Sequence, residues 1–527
     1  MTSPIKNEAL NLRSEQISRL QNLIRDSFRI RPNHDPVYVQ IGNSLTRLLS
    51  KQHQVAFGRR GSGKSSQLVQ VHKTKKNQKG THSIYLDIDQ IKKLPFPDIL
   101  TRILISIFEQ LPVSRMDKAL FWRNSKPIET ANELRILLDL ALNSTVEKKT
   151  SRKTSLSAKM AAEIEGAANF GVQGGMSSGV DIKELYRRSK LEYLERHLED
   201  YKAVLQKCLI STANTLYVLV DDFYLIKRDI QPDVADYLHR LLRGTDAYLK
   251  IGTIRHRTSL RRHDRQTIGL ELGQDVEEIS LDKTLEDFAG TQRFLISMLD
   301  ELGKKCGVES TSSSILNSGA AHALTLSSGG VPRDFLNVFT EAISLSISKG
   351  KYDRITPTYV YKAAALLLQN KRSNLSEDAG VDAETLELIY ANLIKFCLTE
   401  KKKTCFLISK EESQSMVTEN ELLLQLMDFK LIHLVAPDTS AASGRAGRFS
   451  AYTLDASLFM EPRLRNIDIV KFWEQDDNSR PIGLREAPIF SLSSISKIKS
   501  EQNDTNNDSL NSVLKKLDTD REVEQTD

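Results

Sequence analysis

Cysteine is scarce: Cys208, Cys306, Cys397 and Cys405 are the four in 527 residues. They are scattered, and even the last two, eight apart, have no partnering Cys or His pair nearby. That spacing excludes a disulfide framework and a zinc site, and reduced thiols of a cytoplasmic protein are the expectation. Long apolar runs are also missing. None approaches the roughly 18 residues that span a bilayer, and the start, Met1-Thr2-Ser3-Pro4-Ile5-Lys6, has no apolar stretch of the secretory kind. No membrane partner is expected. Charge of one sign is short as well. Lys and Arg total 74 against 68 Asp and Glu, a net +6, which permits contact with nucleic acid without requiring it. A chain of this length holds two or three domains with ample core.

What is present is a complete phosphate-binding loop, Gly58-Arg59-Arg60-Gly61-Ser62-Gly63-Lys64-Ser65, set between an apolar run (Val55, Ala56, Phe57) and a helix-compatible segment from Ser66. The glycines let the backbone turn tightly and point its N–H groups at phosphates. Lys64 brings a positive charge to the β and γ oxygens, and the Ser65 hydroxyl is suited to the Mg²⁺ shell. Gly58 to Ser66 are the expected nucleotide-binding residues, with ATP and Mg²⁺ as cofactors.

Strand-like runs recur at Ser83–Ile88, Leu216–Val220, Ala247–Thr253 and Val276–Leu281, separated by helix-compatible segments. Alternation of this kind implies a parallel sheet covered on both faces. A helix is expected from about Ser14 to Phe28, then the turn-rich stretch Ile30–Tyr38. The segment Met160–Met176 alternates small and apolar residues with Glu and Asn, as a β-hairpin inserted in the core would, or an alanine-rich helix in its first half. From Thr284 to Asn374 the pattern is helical. After a polar break at Ser373–Asp382, a helix near Glu384–Leu398 leads to two strand-like runs, Leu431–Val435 and Phe449–Leu454, which suit a winged helix. The expected division is 1–29, a helical lead-in; 30–283, the α/β core with an insertion at 148–180; 284–374, a helical lid; 382–472, a winged-helix-like domain; and 475–527, a disordered polar tail.

Val218-Leu219-Val220-Asp221-Asp222 ends its strand in two carboxylates. Asp221 is placed to hold Mg²⁺, and Asp222 to orient or activate the attacking water. Thr253 and Arg255, at the end of a later strand, stand where a γ-phosphate sensor would. In Gly329-Gly330-Val331-Pro332-Arg333 the proline opens a helix, and Arg333 is placed to reach the nucleotide. Lys64, Asp222, Arg255 and Arg333 are the expected catalytic set; Ser65 and Asp221 are the expected metal ligands.

In their order, these motifs resemble the AAA+ ATPases of the origin-recognition/Cdc6 type and the related STAND signalling ATPases. The resemblance covers about Ile30 to Asn374 and, more weakly, reaches Phe472. It implies an α/β P-loop NTPase domain with a helical lid and a C-terminal winged helix, and it carries ATP and Mg²⁺ use onto Gly58–Ser65, Asp221 and Asp222. Asp222 stands where many hydrolytic relatives carry Glu, which implies slow turnover. Repeats of the kind many STAND proteins use as sensors are lacking at the C-terminus. By the same resemblance, Arg240 or Arg243 would complete a neighbouring subunit's site, solvated surface arginines being the alternative.

The expected function is an ATP-dependent, ATP-hydrolysing switch that couples nucleotide state to a partner. The resemblance leaves a homo-oligomer and an effector protein, as in prokaryotic defence, open as partners. A DNA-associated initiator or regulator is the alternative. Its contacts would be the basic cluster Arg255, His256, Arg257, Arg261, Arg262, His263 and Arg265, or the loop Gly444-Arg445-Ala446-Gly447-Arg448. A small-molecule kinase is a third reading, since Asp221-Asp222-Phe223-Tyr224 resembles uridine-kinase-like enzymes, although the acid there follows the loop closely.

Overall fold

The computed structural model describes residues 11–28, 43–112, 126–139, 182–212, 214–263, 267–378, 383–442, 446–460, 466–476 and 481–498. The stretch Ile30–Tyr38, the insertion at 148–180, Arg265, Gly444, Arg445 and residues beyond 498 lie outside the described residues. The chain divides into two compact units. One holds Ile30–Gly58 and Gly63–Leu281; the other holds Met1–Arg29, Arg59–Ser62 and Asp282–Asp527.

The first unit is built on a five-stranded parallel sheet: β1 (Gln54–Phe57), β2 (Thr81–Asp87), β3 (Thr215–Asp221), β4 (Ala247–Thr253) and, after the short antiparallel pair β5 (Arg261–His263) and β6 (Thr267–Gly269), β7 (Glu277–Ser280). The order across the sheet is β2-β3-β4-β1-β7. Thr215–Asp221 is buried at every position, as a central parallel strand must be when helices cover both faces. On one face Val55, Ile84, Val218 and Ile251 pack with Ile99, Ile103 and Ile107 of the helix Asp98–Glu109. On the other, Ala56, Leu219 and Ile279 meet Leu68 and Val71 of the helix Lys64–Asn77. The fold is thus a P-loop α/β sheet. Because β4 separates β1 from β3, the phosphate loop and the acids ending β3 flank β4 at the carboxyl ends of the strands, where open α/β sheets bind ligands.

The second unit opens with the helix Glu15–Ser27, whose Ile17, Leu20 and Ile24 are fully buried and whose Gln21 side chain donates to the Thr340 carbonyl at 3.3 Å. The helices Phe288–Lys305, Thr311–Ile315, Ala320–Ser328, Pro332–Ser348 and Pro357–Asp378 follow. The last runs through Ser373, which is exposed, so the start of the expected polar break at Ser373–Asp382 is helical and 379–382 lie outside the described residues. Next come the helix Ala383–Ile394, a π-helical stretch Lys395–Glu400, β8 (Cys405–Ser409), the helices Lys410–Ser415 and Val417–Asp428, and the strands β9 (Ile432–Thr439) and β10 (Phe449–Leu454). The three strands form an antiparallel sheet in the order β8-β10-β9.

The sequence did not suggest β8, and 481–498 is not the disordered tail expected from 475. The Leu407 N–H donates to the Pro488 carbonyl at 2.8 Å, and the Phe490 N–H to the Leu407 carbonyl at 2.9 Å. Leu484, Phe490, Leu492 and Ile495 are buried in the core of the second unit. Four apolar side chains among polar neighbours were enough to fix this segment to the edge of β8. No described helix is long and apolar enough to cross a membrane.

Candidate nucleotide site

The loop after β1 takes the backbone its glycines allow: Gly61 has φ +89° and Gly63 φ +97°, conformations open to glycine and costly for other residues. The helix Lys64–Asn77 starts directly behind, and a helix N-terminus favours anions. In the first unit Lys64 is buried, and its ammonium donates to the Gly58 carbonyl at 2.8 Å. It also lies 5.9 Å from the centre of the Tyr224 ring.

Asp221 ends β3 with only 2% of its surface exposed. Its carboxylate accepts from the Tyr85 hydroxyl at 2.5 Å, from the Asp222 N–H at 2.9 Å, and from the Ser65 hydroxyl. Burial pushes the Asp221 carboxyl above the usual carboxylate range, opposed by Tyr85, Ser65 and the nearby Lys64 charge. Tyr85 is held protonated well above an ordinary phenol by burial and by Asp221 itself. Gly252 on β4 makes room for this carboxylate: a Cβ there would stand 3.0 Å from Asp221 Oδ1 and 2.6 Å from Leu68 Cδ1. Asp222 adopts a left-handed backbone, φ +53°, which Asp tolerates better than most residues.

These donors suit Mg²⁺. A hydroxyl and a carboxylate already bonded to each other, the latter buried and short of counter-charge, are what a hard oxygen-seeking cation completes with water and phosphate oxygens. Among the described residues no group of three or more His, Cys, Asp or Glu offers an all-protein metal site.

Arg255, expected as a sensor, is exposed just beyond β4. It is ion-paired with Glu278, and its guanidinium lies 4.2 Å from the centre of the Phe57 ring. Thr253 is buried, its hydroxyl bonded to that of Thr258 at 2.5 Å. Arg240 is engaged by Glu195 at 2.8 and 2.9 Å and by Asp236 at 2.7 Å. The basic cluster is similarly committed: Arg261 pairs with Glu271 at 3.1 Å, Arg262 grips Asp233 at 3.0 and 3.1 Å, and Arg257 lies 4.9 Å from the Tyr224 ring centre. Two of these partners, Glu195 for Arg240 and Asp233 for Arg262, lie on other elements and are invisible to local reading.

The other half of the phosphate loop belongs to the second unit. The Arg59 N–H donates to Asp282 Oδ1 at 2.8 Å. Its buried guanidinium donates to the carbonyls of Lys283 (2.9 Å) and Gly329 (3.2 Å) and approaches His433 Nδ1 at 3.3 Å. The Arg333 N–H donates to the Gly61 carbonyl at 3.2 Å, and a Cβ on Gly61 would come within 2.8 Å of Arg333 Cβ. Arg333 also donates to the Phe28 carbonyl at 3.4 Å. His433 Nε2 lies 2.9 Å from Asp455 Oδ2, and the same oxygen accepts from Lys371 Nζ at 2.6 Å. Arg59 can only donate, so His433 accepts at Nδ1 and donates from Nε2: a neutral ring. Burial lowers the His433 pKa, in keeping with that tautomer. Asp455 is held below the usual carboxylate range by Lys371 and His433 in spite of its burial.

No family model and no curated protein matches the chain. Solved structures do. A Walker-type ATPase of Pyrococcus abyssi aligns over 82% of this chain and 99% of its own, at 11% identity and TM-score 0.38. The Aeropyrum pernix Orc1 protein, solved in complex with DNA, aligns over 81% and 94%, at 13% and 0.35. Cdc6 of Pyrobaculum aerophilum aligns over 82% and 95%, at 12% and 0.30. The structures matched are thus an Orc1, a Cdc6 and a Walker-type ATPase. Likeness this distant decides nothing about activity or partners, and the fold stands on the strand order and loop described above.

Within the first unit, then, Lys64, Ser65, Asp221 and Asp222 come together; within the second, Arg59, Gly61 and Arg333 do. Sequence reading missed Tyr85, His433 and Asp455. The parity of β2 puts Ser83, Tyr85 and Asp87 on one face, a signal that becomes useful once β2 is paired with β3. His433 and Asp455 carried no local signal.

Proposed function

We propose that the protein binds ATP at Gly58–Ser66 and hydrolyses it slowly, and that nucleotide state is passed to its C-terminal elements. The observation carrying this reading is the division of one phosphate loop. Gly63, Lys64 and Ser65 pack with the acids of the sheet, while Arg59 to Ser62 pack with the helices and strands of the second unit. A triphosphate taken up by this loop is expected to alter the Arg59 and Gly61 contacts within the second unit.

Ser65 and Asp221 would hold Mg²⁺, which when bound would neutralise charge building on the phosphates. Lys64 exchanges its bond to the Gly58 carbonyl for phosphate oxygens. Asp222, next to the buried Asp221, orients the attacking water and accepts its proton. Arg333 follows the loop through its N–H bond to Gly61. On this reading Arg255 holds the sheet edge through Glu278 instead of sensing phosphate. The helix–strand–helix–helix–strand–strand order of 383–454 suits a winged helix, and these elements present the surface that a separate effector protein meets. The duplex-DNA alternative is weakened at its named residues. Arg448 is engaged by Asp438, and Arg261 and Arg262 by Glu271 and Asp233, so a duplex would have to displace internal ion pairs to recruit them.

Nucleotide titration with Mg²⁺ and phosphate release test the proposal. Lys64→Ala is expected to lose ATP binding; Asp222→Ala is expected to bind ATP and stall. Unchanged hydrolysis in both variants would refute it.

A further inference from the structure

A cavity of about 210 Å³ opens in the second unit, among the helices Ala320–Ser328, Pro332–Ser348 and Pro357–Asp378 and the turn at Lys430. Four cationic side chains line it, Arg60, Arg333, Lys371 and Lys430, against a single lining carboxylate, Asp334. Lys430 Nζ donates to Asp334 Oδ1 at 2.9 Å, and Lys371 is held by Asp455. Two polar atoms of the lining are buried with no hydrogen-bond partner: Asp334 Oδ2, on a residue 8% exposed, and Ser327 Oγ, on a residue 1% exposed. Neither atom belongs to the nucleotide site described above. The cations crowd one another: burial, Lys371 and Arg333 disfavour the Lys430 charge, and Asp334 opposes them.

The chemistry narrows the ligand. Clustered cations select an oxyanion, and the volume, below the roughly 300 Å³ at which ordinary small-molecule sites begin, suits a ligand of few heavy atoms. The vacant acceptor Asp334 Oδ2 repels any anion that cannot donate to it. Sulfate carries no proton near neutral pH. A phosphomonoester, with its second pKa about 6, has lost its own. Hydrogen phosphate keeps a P–OH, which can donate to Asp334 Oδ2 while its remaining oxygens meet the cations and the Ser327 hydroxyl. We propose that this cavity is a binding site for inorganic phosphate, selected as hydrogen phosphate by Asp334; it shares Arg60 with the nucleotide loop but is lined by none of Lys64, Ser65 and Asp221. The site does not require that the protein hydrolyse ATP.

The test is calorimetric titration of the nucleotide-free full chain, at pH 7.5 and constant ionic strength, with sodium phosphate, sodium sulfate and glycerol 3-phosphate. Phosphate is expected to bind about tenfold or more tightly than the other two, the worth of one charge-assisted hydrogen bond. Asp334→Asn is expected to bring phosphate and sulfate within about threefold of each other. Ser327→Ala removes a buried hydroxyl that bonds nothing in the fold, so it should leave the protein folded, and it should weaken phosphate about threefold or more; it decides the matter if Asp334→Asn does not fold. Lys64→Ala should leave the phosphate titration intact. Sulfate binding as well as phosphate, an unaltered titration in Ser327→Ala, or phosphate binding lost in Lys64→Ala would overturn the proposal. Loss in Lys64→Ala would place the anion at the nucleotide loop, leaving the ATP reading standing.

Discussion

Asp221 keeps a carboxylate in a nearly solvent-free position because three donors surround it, and Tyr85 is the one no motif would supply. The phenol lowers the Asp221 pKa while burial raises it, so its removal shifts the balance toward the protonated acid. Protonated Asp221 is a poor Mg²⁺ ligand. Tyr85→Phe is therefore expected to move the acid limb of Mg·ATP binding to higher pH, with a loss of about tenfold on that limb, one charge-assisted bond's worth, shrinking as pH rises. Titrations across pH 5.5–8.5 check this; an acid limb unmoved from wild type would contradict it. At this scale the sequence was legible where chemistry and chain order coincide. Lys64, Ser65 and Asp221 sit at the ends of strands that local hydropathy reveals. Tyr85 reaches Asp221 only through the pairing of β2 with β3, and Arg255 is committed to Glu278 on another strand. Both depend on partners that a local window does not contain.

The elements of the sheet were readable because each strand is an apolar run bounded by turns: Ala247–Thr253 was anticipated residue for residue. β8 was not, since Cys405–Ser409 follows Lys401-Lys402-Lys403 and lies among charged surroundings. The segment 481–498 was hidden for a similar reason, its apolar residues being spaced among polar ones and held by backbone bonds to β8. β9 matters most for the proposed switch, because it carries His433 into contact with Arg59. His433→Leu removes one buried partner from Arg59 and one from Asp455, which keep the Gly329 carbonyl and Lys371 respectively, and is expected to cost about 1–3 kcal/mol of stability, measured by urea unfolding at pH 7.5. The sign with pH follows from the depressed pKa of His433. The folded state prefers the neutral ring, so this contribution is present above the unfolded value of about 6.5 and is lost as pH falls below it. The gap between wild type and variant should therefore narrow toward pH 5. A constant gap would show that the neutral ring is not what joins Arg59 to Asp455.

For the whole molecule, the division of the phosphate loop between two compact units is the feature no stretch of sequence displays. Gly58–Ser65 reads as one motif, yet its contacts diverge after Gly58 and rejoin the sheet at Gly63. If that division passes nucleotide state to the C-terminal elements, ATP must be felt at β9, which belongs to another part of the chain. Amide hydrogen exchange of the full chain with and without Mg·ATP, in wild type and Lys64→Ala, measures this. The account predicts that ATP alters exchange in Ile432–Thr439 and at the start of the helix Pro332–Ser348 in wild type, and that Lys64→Ala abolishes both changes. Protection confined to the loop and the helix Lys64–Asn77, with Ile432–Thr439 unchanged, would contradict it.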